Sequence, residues 1–209
     1  MAKLVHLKFN DRAPDLELLN SEGKAVKLSS LWKKKAVILA FARHFGCPQC
    51  KEMVTALAGV NAEIESKGLS LVIVTQGTPE GAKTFCSEYA PGVMCLADQE
   101  RRAYLAFGLE RANFLNAFLS PRIWMANGRL RREKGWRTEW PPKGQDAMQL
   151  AGTFVIGTDG RIRLPYYYDN IADHPPLDLL LHGIMGVNWK SPLEKPIALP
   201  KLHKKNKSK

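Results

Sequence analysis

Two continuous apolar runs, Ala36–Phe41 and Leu69–Thr75, with an amphipathic stretch between them, constrain this chain more than any other feature. Runs of this length without alternation suit strands buried on both faces. Between them Met53, Leu57, Val60 and Ile64 recur at three- and four-residue spacing. That spacing predicts an amphipathic helix from residue 47 to about 66, ended by Gly68. Strand, helix and strand in this order imply parallel strands joined by a right-handed crossover.

The rhythm continues on both sides. Thr78, Pro79 and Glu80 predict a capped helix start, with the helix running to about Tyr89. Residues 93–96 read as a short strand, and Asp98 as the cap of a helix through Phe107. Upstream, residues 13–18 and 26–28 read as two short strands around a turn, followed by one helical turn at 29–32. Downstream, residues 152–157 and 161–165 flank Thr158-Asp159-Gly160 as a β-hairpin. Pro175 and Pro176 open a last helix through Leu181, ended by Gly183 and Gly186. Residues 109–148 break the pattern. Residues 112–119 suit a helix, whereas Gly128, Gly135, Pro141, Pro142 and Gly144 punctuate the remainder. The expected organisation is one domain, residues 1–188, containing this insertion, and a basic, disordered tail at 189–209.

With 209 residues, 45% of them hydrophobic, the chain can bury a core without disulfide staples. The first fifteen residues have no apolar h-region, and no apolar run approaches a membrane span. The expectations are therefore no signal peptide, no membrane partner and a reducing, cytoplasmic setting.

The net charge of +11 is localised. Residues 201–209 hold five lysines and no acid; residues 122–137 hold six basic residues against Glu133 alone. The tail reads first as a solvated end; attachment to nucleic acid or an anionic surface would need only its charge. Trp124, Trp136 and Trp140 interleave with arginines, a mixture that nucleic-acid binders share. Aromatic residues in a long insertion more often pack it onto the core, which weighs against nucleic acid and predicts a flap beside Cys47.

The chemistry centres on Cys47-Pro48-Gln49-Cys50, just after the first apolar run. At a helix start, unpaired backbone N–H groups and the helix dipole stabilise an anion, and Pro48 has no N–H to lose. Cys47 is thus the candidate thiolate nucleophile. Cys50, one turn on, is the candidate resolving thiol on the buried side. Arg43 and His44 are placed to add positive potential, and His44 also to shuttle a proton. Lys51 and Glu52 read as the solvated face of the helix. A zinc site would want two such pairs, but Cys86 and Cys95 stand nine apart and read as buried small hydrophobes. Asp169, Asp173 and His174 have the composition of a metal cluster, with helix capping the simpler account.

Ala13-Pro14-Asp15, Val26-Lys27-Leu28-Ser29, the strand from Val37, Cys47-Pro48, Asp98 to Tyr104 and residues 152–160 together resemble the AhpC/TSA superfamily. The stretch from Arg43 to Cys50 is most similar to its peroxiredoxin-like branch with Cys-x-x-Cys. The resemblance covers residues 11 to 182. It implies an α/β, thioredoxin-like fold of the peroxiredoxin type: a central mixed sheet flanked by helices, with an N-terminal β extension and a helical or loop insertion.

The resemblance also implies a thiol-dependent oxidoreductase without a bound cofactor or metal, acting on a small peroxide or a disulfide and restored by a thioredoxin- or glutathione-type reductant, with oligomers possible. The chain departs from the family pattern. His44 stands where typical members have Thr or Ser, Ala40 where they have Pro, and Ala151 where an Arg commonly precedes Gly152. Disulfide exchange without peroxidase activity, a non-catalytic redox-sensing module and a zinc-stabilised domain are the alternatives.

Overall fold

The structure, a computed structural model, describes residues 5–112, 121–183 and 189, with only the backbone of Arg122. In chain order the strands are β1 (Glu17–Asn20), β2 (Ala25–Lys27), β3 (Ala36–Phe41), β4 (Leu69–Thr75), β5 (Met94–Ala97), β6 (Gly152–Ile156) and β7 (Ile162–Tyr167). The helices are α1 (Pro48–Gly59), α2 (Asn61–Ser66), α3 (Pro79–Tyr89), α4 (Arg102–Ala106), α5 (Pro121–Lys134) and α6 (Leu177–His182).

The strands form one sheet in the order β2-β1-β5-β4-β3-β6-β7. The apolar runs β3 and β4 lie at its centre and pair in parallel, Ala36 opposite Leu69 through Phe41 opposite Val74. β5 pairs in parallel with β4, whereas β6 and β7 add antiparallel beyond β3. The sheet is therefore mixed.

Both faces are covered, which is why β3 carries no polar residue. On one face Ile38, Ala40, Val54, Leu57, Ile64, Ile73, Phe85 and Leu180 bury α1, α3 and α6 against the sheet. On the other, Leu28, Trp32, Phe41, Tyr104, Phe107 and Phe154 pack beneath the N-terminal hairpin and α4. Tyr104 is fully buried and its hydroxyl donates to the carbonyls of Ala42 (2.5 Å) and Val74 (3.1 Å). It thereby ties the ends of β3 and β4 together just where the chain leaves for Cys47.

Three local features depart from the sequence reading. The helix expected from 47 to 66 divides at Val60, whose φ of −108° and ψ of 12° leave the helical region. Gly59, β-branched Val60 and Asn61 are all weak helix formers, so the break falls there. Asp98 does cap α4, but from a distance: its carboxylate accepts from the N–H groups of Arg102, Ala103 and Tyr104, while Arg101 bridges in the left-handed region. The insertion holds the fourteen-residue helix α5, which its glycines had argued against. Gly128 costs α5 about 1 kcal/mol. Ile123 and Leu130, buried at seven-residue spacing, anchor it. The helix expected over 112–119 falls, Ala112 aside, outside the described residues.

Cys86 in α3 and Cys95 in β5 are buried, but as a disulfide with Cα atoms 6.5 Å apart, not as free thiols. Asp173 does not cap α6; it accepts from the Tyr166 hydroxyl and the Asp169 N–H. Trp189, assigned to the tail, is buried, its indole N–H donating to the carbonyl of Leu180 at 2.9 Å.

Candidate active site

β3 ends at Phe41 and delivers Ala42, Arg43 and His44 to the carboxyl edge of the parallel strands, where the chain turns into α1. Cys47 is the N-cap of α1, with extended backbone (φ −89°, ψ 115°), and Pro48 is the first helical residue. Among the described residues no side chain makes a capping hydrogen bond at this end. The helix start thus leaves its N–H groups to the sulfur.

Cys47 is 2% exposed, and Cys50 is equally buried one turn on. Arg43 Nη1 donates to Cys47 Sγ at 3.2 Å, and the Arg43 backbone N–H donates to Cys50 Sγ at 3.2 Å. The guanidinium is held from behind: Nε donates to the Gln149 carbonyl at 2.9 Å and Nη2 to that of Ala147.

In its thiol form Cys47 donates to Gln49 Oε1 at 3.4 Å. Ionised, it accepts instead from the Cys50 thiol. That hydrogen bond is the main cause holding its pKa down to about 6, with help from the Arg43 charge and the Cys50 and Gln49 backbone N–H groups, against the cost of burial. Burial pushes the Cys50 thiol well up, and donating its proton to Cys47 raises it further. The two sulfurs are thus separated into a thiolate and a thiol that share one proton.

His44 takes a different part from that considered in the sequence. Burial, then the neighbouring Arg43 charge, lowers its pKa to about 4. The imidazole is neutral at physiological pH and adds no positive charge, and its Nδ1 has no partner among the described residues.

The insertion builds the rest of the site. Residues 135–150 run as a strap across the α1 start, fastened at several points. The Glu139 N–H donates to the Gly46 carbonyl at 2.9 Å, and the Phe45 N–H donates to Gln145 Oε1 at 2.9 Å. Gln76, at the end of β4, exchanges two hydrogen bonds with the Asp146 backbone. Lys51 and Glu52, read as a solvated face, are covered: Lys51 pairs with Glu139 at 3.3 Å, and Glu52 takes Arg129 of α5 at 2.7 and 2.9 Å. Gln49 Nε2 bonds Asn127 Oδ1.

The result is a cavity of about 290 Å³ with Cys47, Arg43 and His44 at its floor and Ile123, Trp124 and Trp140 on its walls. Sequence reasoning placed Cys47, Cys50, Arg43, His44 and Pro48 near one another, and the structure brings all five to the α1 start. It missed Gln49, Asn127 and the strap carbonyls. Gln49 carries no signal beyond its place between the cysteines, and carbonyls carry none. Cys86 and Cys95, being bonded to each other, are not metal ligands.

Comparison with known proteins places this fold. The chain is 27% identical to Peroxiredoxin-like 2C of Mus musculus over 186 residues, 85% of this chain and 81% of that one. It is also 27% identical to the Prostamide/prostaglandin F synthase of Danio rerio over 165 residues, 75% and 77% of the two chains. The crystal structure of a peroxiredoxin-like protein from Aquifex aeolicus superimposes with a TM-score of 0.60 at 16% identity, covering 85% of each chain. The fold is thus the thioredoxin-like fold of the peroxiredoxin type. The AhpC/TSA family model matches residues 9–164, from before the N-terminal hairpin into β7, and the chain belongs to the AhpC/TSA family.

Proposed function

We propose that the protein is a thiol-dependent oxidoreductase that reduces peroxides at Cys47. The observation that carries this reading is the Arg43 guanidinium 3.2 Å from a buried Cys47 sulfur whose thiolate takes a hydrogen bond from Cys50. The thiolate attacks the outer oxygen of a hydroperoxide ROOH. The O–O bond breaks, sulfur loses two electrons, and the alkoxide leaves as ROH with a proton from solvent. Arg43, fixed by two carbonyls, is placed to stabilise negative charge building on that oxygen. The Cys50 thiol then attacks the sulfenic acid; its proton leaves with the hydroxyl as water, and the Cys47–Cys50 disulfide forms. A thioredoxin- or glutathione-type thiol donates two electrons and two protons to restore the pair. The cytoplasm is the proposed setting because such reductants are supplied there, the Cys86–Cys95 disulfide being buried away from them.

Peroxide is favoured over a folded protein's disulfide by access. Cys47 is 2% exposed, and the Glu139–Gly46 hydrogen bond crosses the loop on which a partner's backbone would have to lie. The Cys-x-x-Cys spacing itself also suits disulfide exchange, and a redox-sensing module would oxidise without turnover.

The test is to oxidise reduced protein with hydrogen peroxide and map its disulfides by mass spectrometry. The expected result is rapid Cys47–Cys50 formation, a trapped sulfenic acid in Cys50→Ser, and no reaction in Cys47→Ser. Turnover with thioredoxin separates the enzyme from a sensor. Failure of Cys47 to oxidise, alongside rapid reduction of a small disulfide, would replace peroxide with disulfide as substrate.

A further inference from the structure

The outer surface of the insertion is composed unlike the rest of the chain. Trp124 and Met125 are 67% exposed and Trp140 is 93% exposed, three large apolar side chains on one segment. On α5, Met125 lies nearly opposite buried Ile123 and Leu130 and Trp124 on their flank, and seven residues on the same stripes continue into Arg131 and Arg132. Arg131, Arg132, Lys134 and Arg137 are exposed and make no ion pair among the described residues. The nearby acids are already engaged, Glu133 by Arg129 and Glu139 by Lys51. The surface therefore presents bulky apolar groups beside uncompensated positive charge.

Trp124 and Trp140 also wall the cavity over Cys47, with Ile123, Pro141 and Ile171 among its other lining residues. An apolar track thus leads from the exposed rim to the sulfur. A second copy of the chain would set like charges against each other on this face. A nucleic acid would use the cations and stack on the rings, but would leave the track unused. Tryptophans at headgroup depth with cations on lipid phosphates account for all three features together.

We infer that this face docks on an anionic lipid bilayer, with Trp124, Met125 and Trp140 at the headgroup boundary and Arg131, Arg132 and Lys134 on the phosphates. Docking turns the mouth of the Cys47 cavity toward the acyl chains, so that an acyl hydroperoxide is the substrate presented to the thiolate. The substrate assignment rests on the peroxide reading above; the docking does not. The absence of any long apolar run speaks only to crossing a bilayer, and no helix among the described residues is long and apolar enough to do so.

The experiment uses the full chain with two sets of vesicles, phosphatidylcholine alone and phosphatidylcholine with about one third phosphatidylserine, each prepared with and without acyl-brominated lipid. The expected result is binding at least about tenfold tighter to the anionic vesicles, weakened by salt, with bromine quenching of tryptophan fluorescence. Because the lysine-rich tail also favours anionic lipid, quenching decides rather than sedimentation. It should vanish in Trp124→Ser/Trp140→Ser, and in Arg131→Glu/Arg132→Glu it should weaken on the anionic vesicles even where the tail still holds the protein there. These side chains are exposed, so unchanged circular dichroism serves as the folding check.

Absence of quenching in the wild type, equal binding to both vesicle sets, or tighter binding to an RNA or DNA duplex at the same salt overturns the docking. Cys47→Ser should bind as the wild type does. If vesicles bind but hydrogen peroxide never oxidises Cys47, the docking stands and the peroxide reading falls.

Discussion

Arg43 Nη1 lies 3.2 Å from Cys47 Sγ, while the other two nitrogens of the guanidinium are held by the carbonyls of Gln149 and Ala147. A permanent charge is thus fixed beside the sulfur by the backbone of the strap. The rate of Cys47 alkylation by iodoacetamide should rise through a midpoint near pH 6. Arg43→Met should move that midpoint up by roughly one unit and slow peroxide oxidation by about tenfold or more. Arg43→Lys should recover only part of this, because an ammonium cannot serve both carbonyls and the sulfur in one plane. An unmoved midpoint in Arg43→Met would assign the depressed pKa to the helix start and Cys50 alone.

Cys50 contributes before it resolves anything, since its thiol hydrogen bond is the leading cause of the low Cys47 pKa. Cys50→Ala should raise the alkylation midpoint of Cys47 by about one unit or more. Cys50→Ser keeps a donor at the position and should raise it less. Equal midpoints in both variants and the wild type would remove this interaction from the account.

Gly46 marks the closest approach of strap and loop. A Cβ there would sit 2.5 Å from the Glu139 carbonyl oxygen. Gly46→Ala should therefore cost about 1–3 kcal/mol in chemical denaturation and loosen the strap, with faster alkylation of Cys47 at pH 8. Wild-type stability together with wild-type reactivity would show that the strap does not rest on the loop.

His44 gives the fold a one-sided pH dependence. Its folded pKa, about 4, lies below the ordinary 6.5, so the unfolded chain takes up the extra proton first as the pH falls. Stability should be fully present above about pH 6.5 and decline toward pH 4, by at most about 3 kcal/mol from this residue. His174, also lowered by burial, acts in the same direction. Denaturant unfolding at pH 7 and pH 4.5 should show a smaller loss in His44→Leu than in the wild type. Equal losses would place the acid sensitivity elsewhere.

The Cys86–Cys95 bond closes a short loop between α3 and β5. Cys86→Ser/Cys95→Ser should lower stability by about 2–3 kcal/mol, read as a reduced unfolding midpoint under non-reducing conditions. Peroxide oxidation of Cys47 should proceed in that variant. Loss of oxidation in a folded variant would tie the bond to the chemistry.

The parts of the fold legible in the sequence are those written in local signals. Ala36–Phe41 and Leu69–Thr75 announced themselves by unbroken apolarity, and Thr78-Pro79 by capping chemistry. Cys47 and Cys50 were legible because a helix start after a buried strand makes a chemical statement within eight residues. What escaped was set by distance in the chain. Lys51 and Glu52 look solvated until Glu139 and Arg129, some eighty residues away, arrive to cover them. The pairing of Cys86 with Cys95 depends on α3 folding back beside β5, which spacing alone does not announce. Helix α5 was hidden by Gly128, whose local cost is outweighed by tertiary burial of Ile123 and Leu130.

The four cysteines stand in two pairs of different standing, and this bears on how the electrons of the chain are counted. One turnover moves two electrons through Cys47 and Cys50, whereas complete chemical reduction of the protein consumes four. A sulfhydryl titration of reduced, native protein should find two groups, and the same sample unfolded without added reductant should still find two. Only unfolding with reductant should reveal four. The difference between the last two titrations measures the α3–β5 clip directly, and it lets the redox state of the reacting pair be read without contamination from the pair that holds the scaffold.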